Sequence, residues 1–273
     1  MSLTPRVGWG CLAGAVNTRE TTGDRLASRV GRALTLVTVA LLATSGLLYI
    51  AMVFAVRGNW PAEGEMPDGF PGVVFRIWSI FDVAIEGSAP TWFNALLWAT
   101  LGRVALAAAL LARRRAGWFA FAAVAFLASL DETISLHERL QELGWPMAQA
   151  FGWGVVYAWV IPGAIIAVLV ALALWPLVRS LPGRSVKLIV AGGVVFLLGA
   201  VVLETLSGQM VGHFGAITWQ NMLVTHVEEF FEKIGIILAI MGVVRLFAIE
   251  RDGAHDVRVV FADPQGDTVA GSA

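Results

Sequence analysis

Cysteine occurs once in the 273 residues, at Cys11. A lone thiol excludes an intrachain disulfide and a cysteine-ligated metal cluster. Charge is scarce too: acidic and basic residues make up 14% of the chain, against about 25% in soluble domains. The formal net charge of −1 removes the bulk attraction that draws a protein to nucleic acid, so no nucleic-acid partner is expected. Residues 1–28 are polar and glycine-rich, and the first long apolar run starts too late for a cleavable signal peptide. No stretch alternates as outer-membrane strands do. No internal repeat of the kind found in inverted-repeat transporters is seen.

Apolar surface is present in excess. Hydrophobic residues account for 58% of the chain and mean hydropathy is +0.75. A water-soluble core cannot absorb that amount, so the solvent of this protein is expected to be lipid. A helix needs roughly 20 apolar residues to cross a bilayer, and six runs qualify: 33–56, 91–112, 117–136, 153–178, 187–206 and 224–248. The expected fold is all-α, a bundle of six transmembrane helices over 31–249. Its flanking tails, 1–30 and 250–273, are expected to be disordered. Tryptophan is abundant, and Trp92, Trp118, Trp153, Trp175 and Trp219 fall at span ends, where amphipathic rings prefer the headgroup level.

Basic residues set the orientation. Arg6, Arg19, Arg25, Arg29 and Arg32 precede the first run, Arg113, Arg114 and Arg115 follow the second, and Arg179, Arg184 and Lys187 follow the fourth. With Arg245, Arg251 and Arg258 after the sixth, 14 of the 19 basic residues share one side. The positive-inside rule therefore places both termini in the cytoplasm of a cell-membrane protein. Arg103 and Lys233 fall within spans. Arg103 is read either as a snorkelling arginine or as counter-ion to a buried carboxylate. The outer loop, 57–90, opens with Gly58, Pro61, Gly64, Pro67, Gly69 and Pro71. It continues over Val73–Ile85 as a candidate interfacial helix.

With that orientation, three helices carry their polar residues to the same outer end. The third span leaves through Asp131, Glu132, His137, Glu138 and Arg139, the fifth carries Glu204, and the sixth carries His226, Glu228, Glu229, Glu232 and Lys233. At about 100° per residue, the polar residues of the sixth helix share one half of its circumference. Gly235, Ala239 and Gly242 mark a close helix contact. Seven carboxylates (Asp131, Glu132, Glu138, Glu204, Glu228, Glu229 and Glu232) stand against Arg139 and Lys233. In a low-dielectric place either some acids are protonated, a metal compensates them, or the mouth is hydrated.

His226 and Glu229 are three apart on one helix, a neighbouring pair. With His137 from a second helix and Glu204 from a third, the composition is that of a carboxylate-bridged di-iron or di-manganese site. It also suits one zinc ion with an open position. The expected ligands are His137, His226, Glu229, Glu204 and Glu132. Glu232 or Glu138 would serve as general acid/base, with Lys233 as electrostatic partner; Asp131 and Glu228 are further candidates. The order on the sixth helix is His-x-x-Glu, the reverse of the usual di-iron spacing. Asp82 and Glu86, just before Pro90-Thr91-Trp92, either overhang this mouth or serve a helix N-terminus. Pro162 is expected to kink the fourth span, and His213 to lie on the surface.

Several pieces together carry a family resemblance. They are Asp82 to Trp92, Ser129-Leu-Asp131-Glu132 with His137-Glu138, Trp159 to Gly163, Glu204, and the Glu228/Glu229/Glu232 cluster. Over about 76–240 the chain resembles a family of uncharacterised bacterial multi-pass membrane proteins. The resemblance implies the six-span topology and no activity.

Three functions fit these residues. One is a metal-dependent membrane-embedded enzyme, a hydrolase or a di-iron-type oxidoreductase acting on a lipid or amphipathic substrate. A second is a proton- or cation-coupled transporter, which needs polar residues at successive depths. A third is a non-catalytic membrane subunit.

Overall fold

A computed structural model describes residues 9–56, 67–152, 154–252 and 256–261, without side chains for 9–21 and 249–260. Cys11, Gly58, Pro61, Gly64, Trp153 and the segment 262–273 therefore fall outside the described residues or side chains.

The protein is a helical bundle. Helix α1 (Trp9–Val56) is followed by α2 (Gly69–Phe81), α3 (Ala89–Leu111), α4 (Ala116–Ile134), α5 (Leu136–Arg139), α6 (Gln141–Ala150) and α7 (Val160–Val178). Next come α8 (Gly183–Leu197), a π-helical turn (Leu198–Leu203), α9 (Glu204–Phe214) and α10 (Trp219–Val244). Five helices are long and apolar enough to cross a membrane: Thr22–Val56, Ala89–Leu111, Ala116–Ile134, Val160–Val178 and the continuous Gly183–Phe214. The 26-residue α10 has sufficient length, about 39 Å. Its four charges, Glu228, Glu229, Glu232 and Lys233, set it apart from the other five.

Helix α10 is the axis of the bundle, packed against α1, α3, α8 and α9. Below Lys233 it is enclosed on most sides, with Ile236, Ile237, Ile240 and Val243 all buried. Its exposed apolar side chains, Leu223, Val227 and Phe230, all lie in its first half. The glycines explain the tightness. A Cβ on Gly235 would lie 2.6 Å from the Phe196 nitrogen and 2.7 Å from the Gly192 oxygen, and one on Gly192 would lie 2.5 Å from the Gly235 oxygen. Backbone cannot yield as a side-chain tip can, so Gly235→Ala is expected to destabilise the protein by about 1–3 kcal/mol. Denaturant titration in detergent micelles measures this, with Gly193→Ala as the neutral control, since nothing lies within 4 Å of that position. Helices α3 and α4 pair through small residues in the same manner: Ala105, Ala108 and Ala109 face Ala122 and Ala125, all buried in one cluster.

Several expectations are corrected. Helix α1 begins at Trp9, so most of the tail expected to be disordered is helical. It is held there by ion pairs from Asp24 to Arg245 and Arg184, and by Gly23 lying against the Arg245 backbone. At the other terminus, β1 (Phe247–Asp252) and β2 (Asp256–Phe261) form an antiparallel hairpin, a strand element within an otherwise helical fold. The Phe261 ring stands edge-on to Trp118 with centroids 5.9 Å apart. That contact buries Trp118 completely instead of leaving it at the headgroups. Pro162 lies in the first turn of α7, where its missing N–H would have no helical partner anyway, so it does not kink the span. The segment expected to be an interfacial helix over Val73–Ile85 is helical over Gly69–Phe81. It exposes Phe70, Val73, Ile77 and Ile80 and buries Trp78 against Met52, Val56 and Met222.

Candidate functional site

Helix α4 ends at Ser135, whose φ of 53° puts it in the left-handed region. That reversal swings α5 back over the last turn of α4. As a result Asp131 grips His137 twice: Oδ1 accepts from the His137 backbone N–H at 2.7 Å, and Oδ2 accepts from Nδ1 at 3.0 Å. The ring also rests against Trp159, with centroids 4.6 Å apart. In the neutral ring, with Nδ1–H donating to Asp131, Nε2 keeps its lone pair. It faces Glu86 Oε1 at 3.9 Å. One ligand atom from each of Glu86, His137 and Glu138 falls within 4.8 Å of the others. Glu86 arrives from the loop after α2 and Glu138 from α5. This rim is open to water: the side chains of His137 and Glu86 are 29% and 40% exposed.

Charge at the rim follows from these neighbours. Burial alone would lower the pKa of His137, but the hydrogen bond and charge of Asp131, with Glu132 and Glu86, more than offset it, so it stands above its ordinary value. Glu86 is also raised, by burial first and then by the charge of Glu138, with Asp131 and Glu204 adding to it while His137 opposes. Asp82 is buried at the C-terminal end of α2 and its pKa is raised to about 6, chiefly by burial. An acid that binds its proton more tightly folded than unfolded stabilises the fold at low pH. Stability from Asp82 therefore declines as pH rises from about 4 to about 6 and stays lower above that. Asp82→Asn retains the acceptor for the Ala84 N–H, 3.1 Å away. It is expected to raise stability above pH 6 by on the order of 1 kcal/mol and to flatten the decline between pH 4 and 6, as read by unfolding at a series of pH values.

Behind the rim lies a second, enclosed layer. The Asn94 side-chain amide, on α3, donates to Glu132 Oε1 at 2.9 Å and to Glu232 Oε2 at 3.4 Å. It thereby ties α4 to α10. Lys233, with no exposed surface, pairs with Glu229 one turn earlier on α10. The Glu228 and Glu204 carboxyl groups lie within interaction reach of each other. The π-helical turn places Glu204 in this position. Within that turn Gly199 lets the Glu228 backbone and the Glu232 side chain approach, since a Cβ there would sit 2.8 Å from Glu232 Cγ. Glu204 lies within Coulombic reach of both Glu86 and Glu232, and so belongs to both layers.

Most of the residues anticipated from sequence do converge: Asp82, Glu86, Asp131, Glu132, His137, Glu138, Glu204, Glu228, Glu229, Glu232 and Lys233. Two do not. His226 turns toward α1, where its Nε2 would lie 3.7 Å from a Cβ on Gly46, and its Nδ1 donates to the Met222 carbonyl at 2.6 Å. Among the described residues it shares no ligand group with His137, so the two-imidazole composition is not assembled there. Arg103 is exposed on α3 and, among the described residues, pairs with none of these acids. That favours the snorkelling arginine over the counter-ion. His213 is exposed, as expected.

Sequence reasoning missed Asn94, Tyr157 and Trp159 as site residues. Asn94 was visible as the lone amide inside an apolar run. Tyr157 was not, because its position depends on tertiary packing. Its ring lies on α9 where a Cβ on Gly208 would come within 2.8 Å, and it feels the charges of Glu204, Glu228 and Glu138.

Comparison with known proteins adds one match. A family model described as "Domain of unknown function (DUF8692)" covers residues 34–246. The chain belongs to this family. The matched region takes in α2 to α10 and all the acids of both layers, leaving out the N-terminal part of α1 and the whole hairpin. No curated protein and no solved structure matches the chain.

Proposed function

We propose that this family member is a membrane-embedded, metal-dependent hydrolase whose site opens at the outer face of the cell membrane. In this reading α10 is the sixth span and both termini are cytoplasmic. The reading rests above all on the fixing of His137 by Asp131. A carboxylate that accepts from Nδ1 and aims Nε2 at two further carboxylates is how metal-binding histidines are commonly held. Tetrahedral ligands at about 2.0–2.2 Å from a zinc ion lie about 3.4 Å apart, so the three atoms, within 4.8 Å of one another, would draw closer around an ion. His137, Glu86 and Glu138 would hold the ion, and the exposed rim leaves a position for water or substrate.

A divalent ion bound there supplies a Lewis acid and a water ionised near neutral pH. The protein's own residues do the rest. Asp131 keeps the proton on Nδ1 and the ring in place. Glu204, which is within Coulombic reach of Glu86 on one side and Glu228 on the other, is placed to pass protons through its carboxylate oxygens. Tyr157 and Trp159 cover the mouth and limit water. With a single imidazole in the group, one ion fits better than the di-iron pair, and hydrolysis better than oxygen chemistry. The transporter reading is weaker because, among the described residues of α10, the charged ones end at Lys233, beneath which Ile236, Ile237, Ile240 and Val243 are buried.

Equilibrium dialysis of the purified protein against zinc or manganese(II) tests this. One ion per chain is expected, and Glu86→Gln and Glu138→Gln should each weaken binding by about 10-fold or more. Wild-type protein that takes up no stoichiometric metal contradicts the reading.

A further inference from the structure

Helices α9 and α10 meet in two polar rungs, one helical turn apart. In the rung nearer their connecting loop, the buried Ser207 and Thr225 hydroxyls lie 3.3 Å from each other. In the next rung Glu204 and Glu228 come within interaction reach. The pairing steps back three residues on α9 as it steps forward three on α10, so the helices run antiparallel and each presents its two polar side chains on one face. Glu228 is 5% exposed, and among the described residues its Oε2 is buried without a hydrogen-bond partner. Glu204 is only half-buried. That leaves the seam open on the side of the rim, where Glu86 lies within Coulombic reach of Glu204.

The seam is rich in acceptors and poor in donors. Its carboxylate and hydroxyl oxygens have only the two hydroxyl protons between them, and one of these is used between Ser207 and Thr225. Lys233 is ion-paired with Glu229, and the Asn94 amide donates to Glu132 and Glu232, so neither answers Glu228. Water bridges oxygens but leaves two like charges side by side in a place of low dielectric. A single proton removes one charge and still leaves an acceptor short. A divalent cation meets both demands. Oxygen donors alone suit a hard cation and not zinc. Two bidentate carboxylates and two hydroxyls make about six ligands, within the range calcium accepts in flexible geometry, whereas magnesium keeps several waters. Neighbouring oxygens around an ion at about 2.3–2.6 Å stand about 3.3–3.7 Å apart, close to the Ser207–Thr225 separation. We propose that the α9/α10 seam is a calcium site, with Glu204, Glu228, Ser207 and Thr225 as its ligands. The site is separate from the rim group and does not depend on metal there. An ion in the seam holds Glu204 as a carboxylate, and so competes with any proton that residue carries.

The test uses full-length protein in detergent micelles, stripped with a chelator and dialysed against radioactive calcium in an excess of sodium. A His137→Ala/Glu86→Gln background disables the rim, so that calcium held there does not count. One calcium ion per chain is expected, with a Tm that climbs as calcium is raised. Glu228→Gln and Thr225→Val, each added to that background, should weaken calcium binding about 10-fold or more. Thr225→Val keeps the side-chain shape and decides the matter should Glu228→Gln fail to fold. Zinc uptake is measured separately on protein with an intact rim, so failure of one metal does not count against the other. No calcium bound at about 10 mM, which exceeds the range of weak extracellular calcium modules, would overturn the proposal. So would a seam that sodium fills equally well, or unweakened calcium binding in Thr225→Val.

Discussion

Lys233→Met should destabilise the protein by about 3–5 kcal/mol, the cost of leaving a buried charge without its partner. Lys233 has no exposed surface and is ion-paired with Glu229. It is also within Coulombic reach of Glu232 and Glu132. Removing its ammonium leaves those carboxyl groups facing one another in a place water does not reach. Methionine keeps most of the volume, so the loss is electrostatic and not a cavity effect. The double variant Lys233→Met/Glu229→Gln should recover much of the stability, because replacing both partners of a buried pair is often close to neutral. Unfolding in mixed micelles reads both. A cost below about 1 kcal/mol for the single variant would mean that the lysine is solvated, and the enclosed layer would then have to be redrawn.

The second large effect concerns metal. His137→Ala should abolish zinc binding at the rim. Asp131→Asn should weaken it by about 10–100-fold, the usual consequence of losing a carboxylate behind a metal-binding histidine. The asparagine amide nitrogen can donate where the carboxylate accepted, favouring the tautomer that blocks Nε2 with a proton. Asp131 itself need not touch the ion, so its effect separates positioning from ligation. Affinity should also fall as pH is lowered through the raised pKa of His137, because proton and metal compete for one lone pair. Equal binding by wild type and Asp131→Asn would mean that the His137 ring needs no such support.

Much of this fold was legible in the residues. Long apolar runs announced the helices. Gly235, Ala239 and Gly242 announced the tight seam on α10, because only small side chains let two backbones meet. The gathering of acids at one end followed from where each lies along its helix. The fates of His226 and Arg103 were not legible, because rotation about a helix axis depends on neighbours. On a wheel His226 shares the acid half of α10, yet α1 claims that edge. The rim group was hidden for another reason. Glu86 lies in a loop and Glu138 follows a left-handed serine at which α4 reverses; neither a loop path nor that reversal shows in a hydropathy pattern. The hairpin and the helical start of α1 were obscured by polar composition, which reads as disorder until Asp24, Arg184 and Arg245 are seen together.

X-ray absorption on protein loaded with one equivalent of zinc tests the central claim most directly. Protein carrying Glu86, His137 and Glu138 as ligands predicts a first shell of one imidazole nitrogen with the remainder oxygen, and loss of the imidazole signal in His137→Ala. A shell with two imidazoles, or one unchanged by His137→Ala, would contradict it.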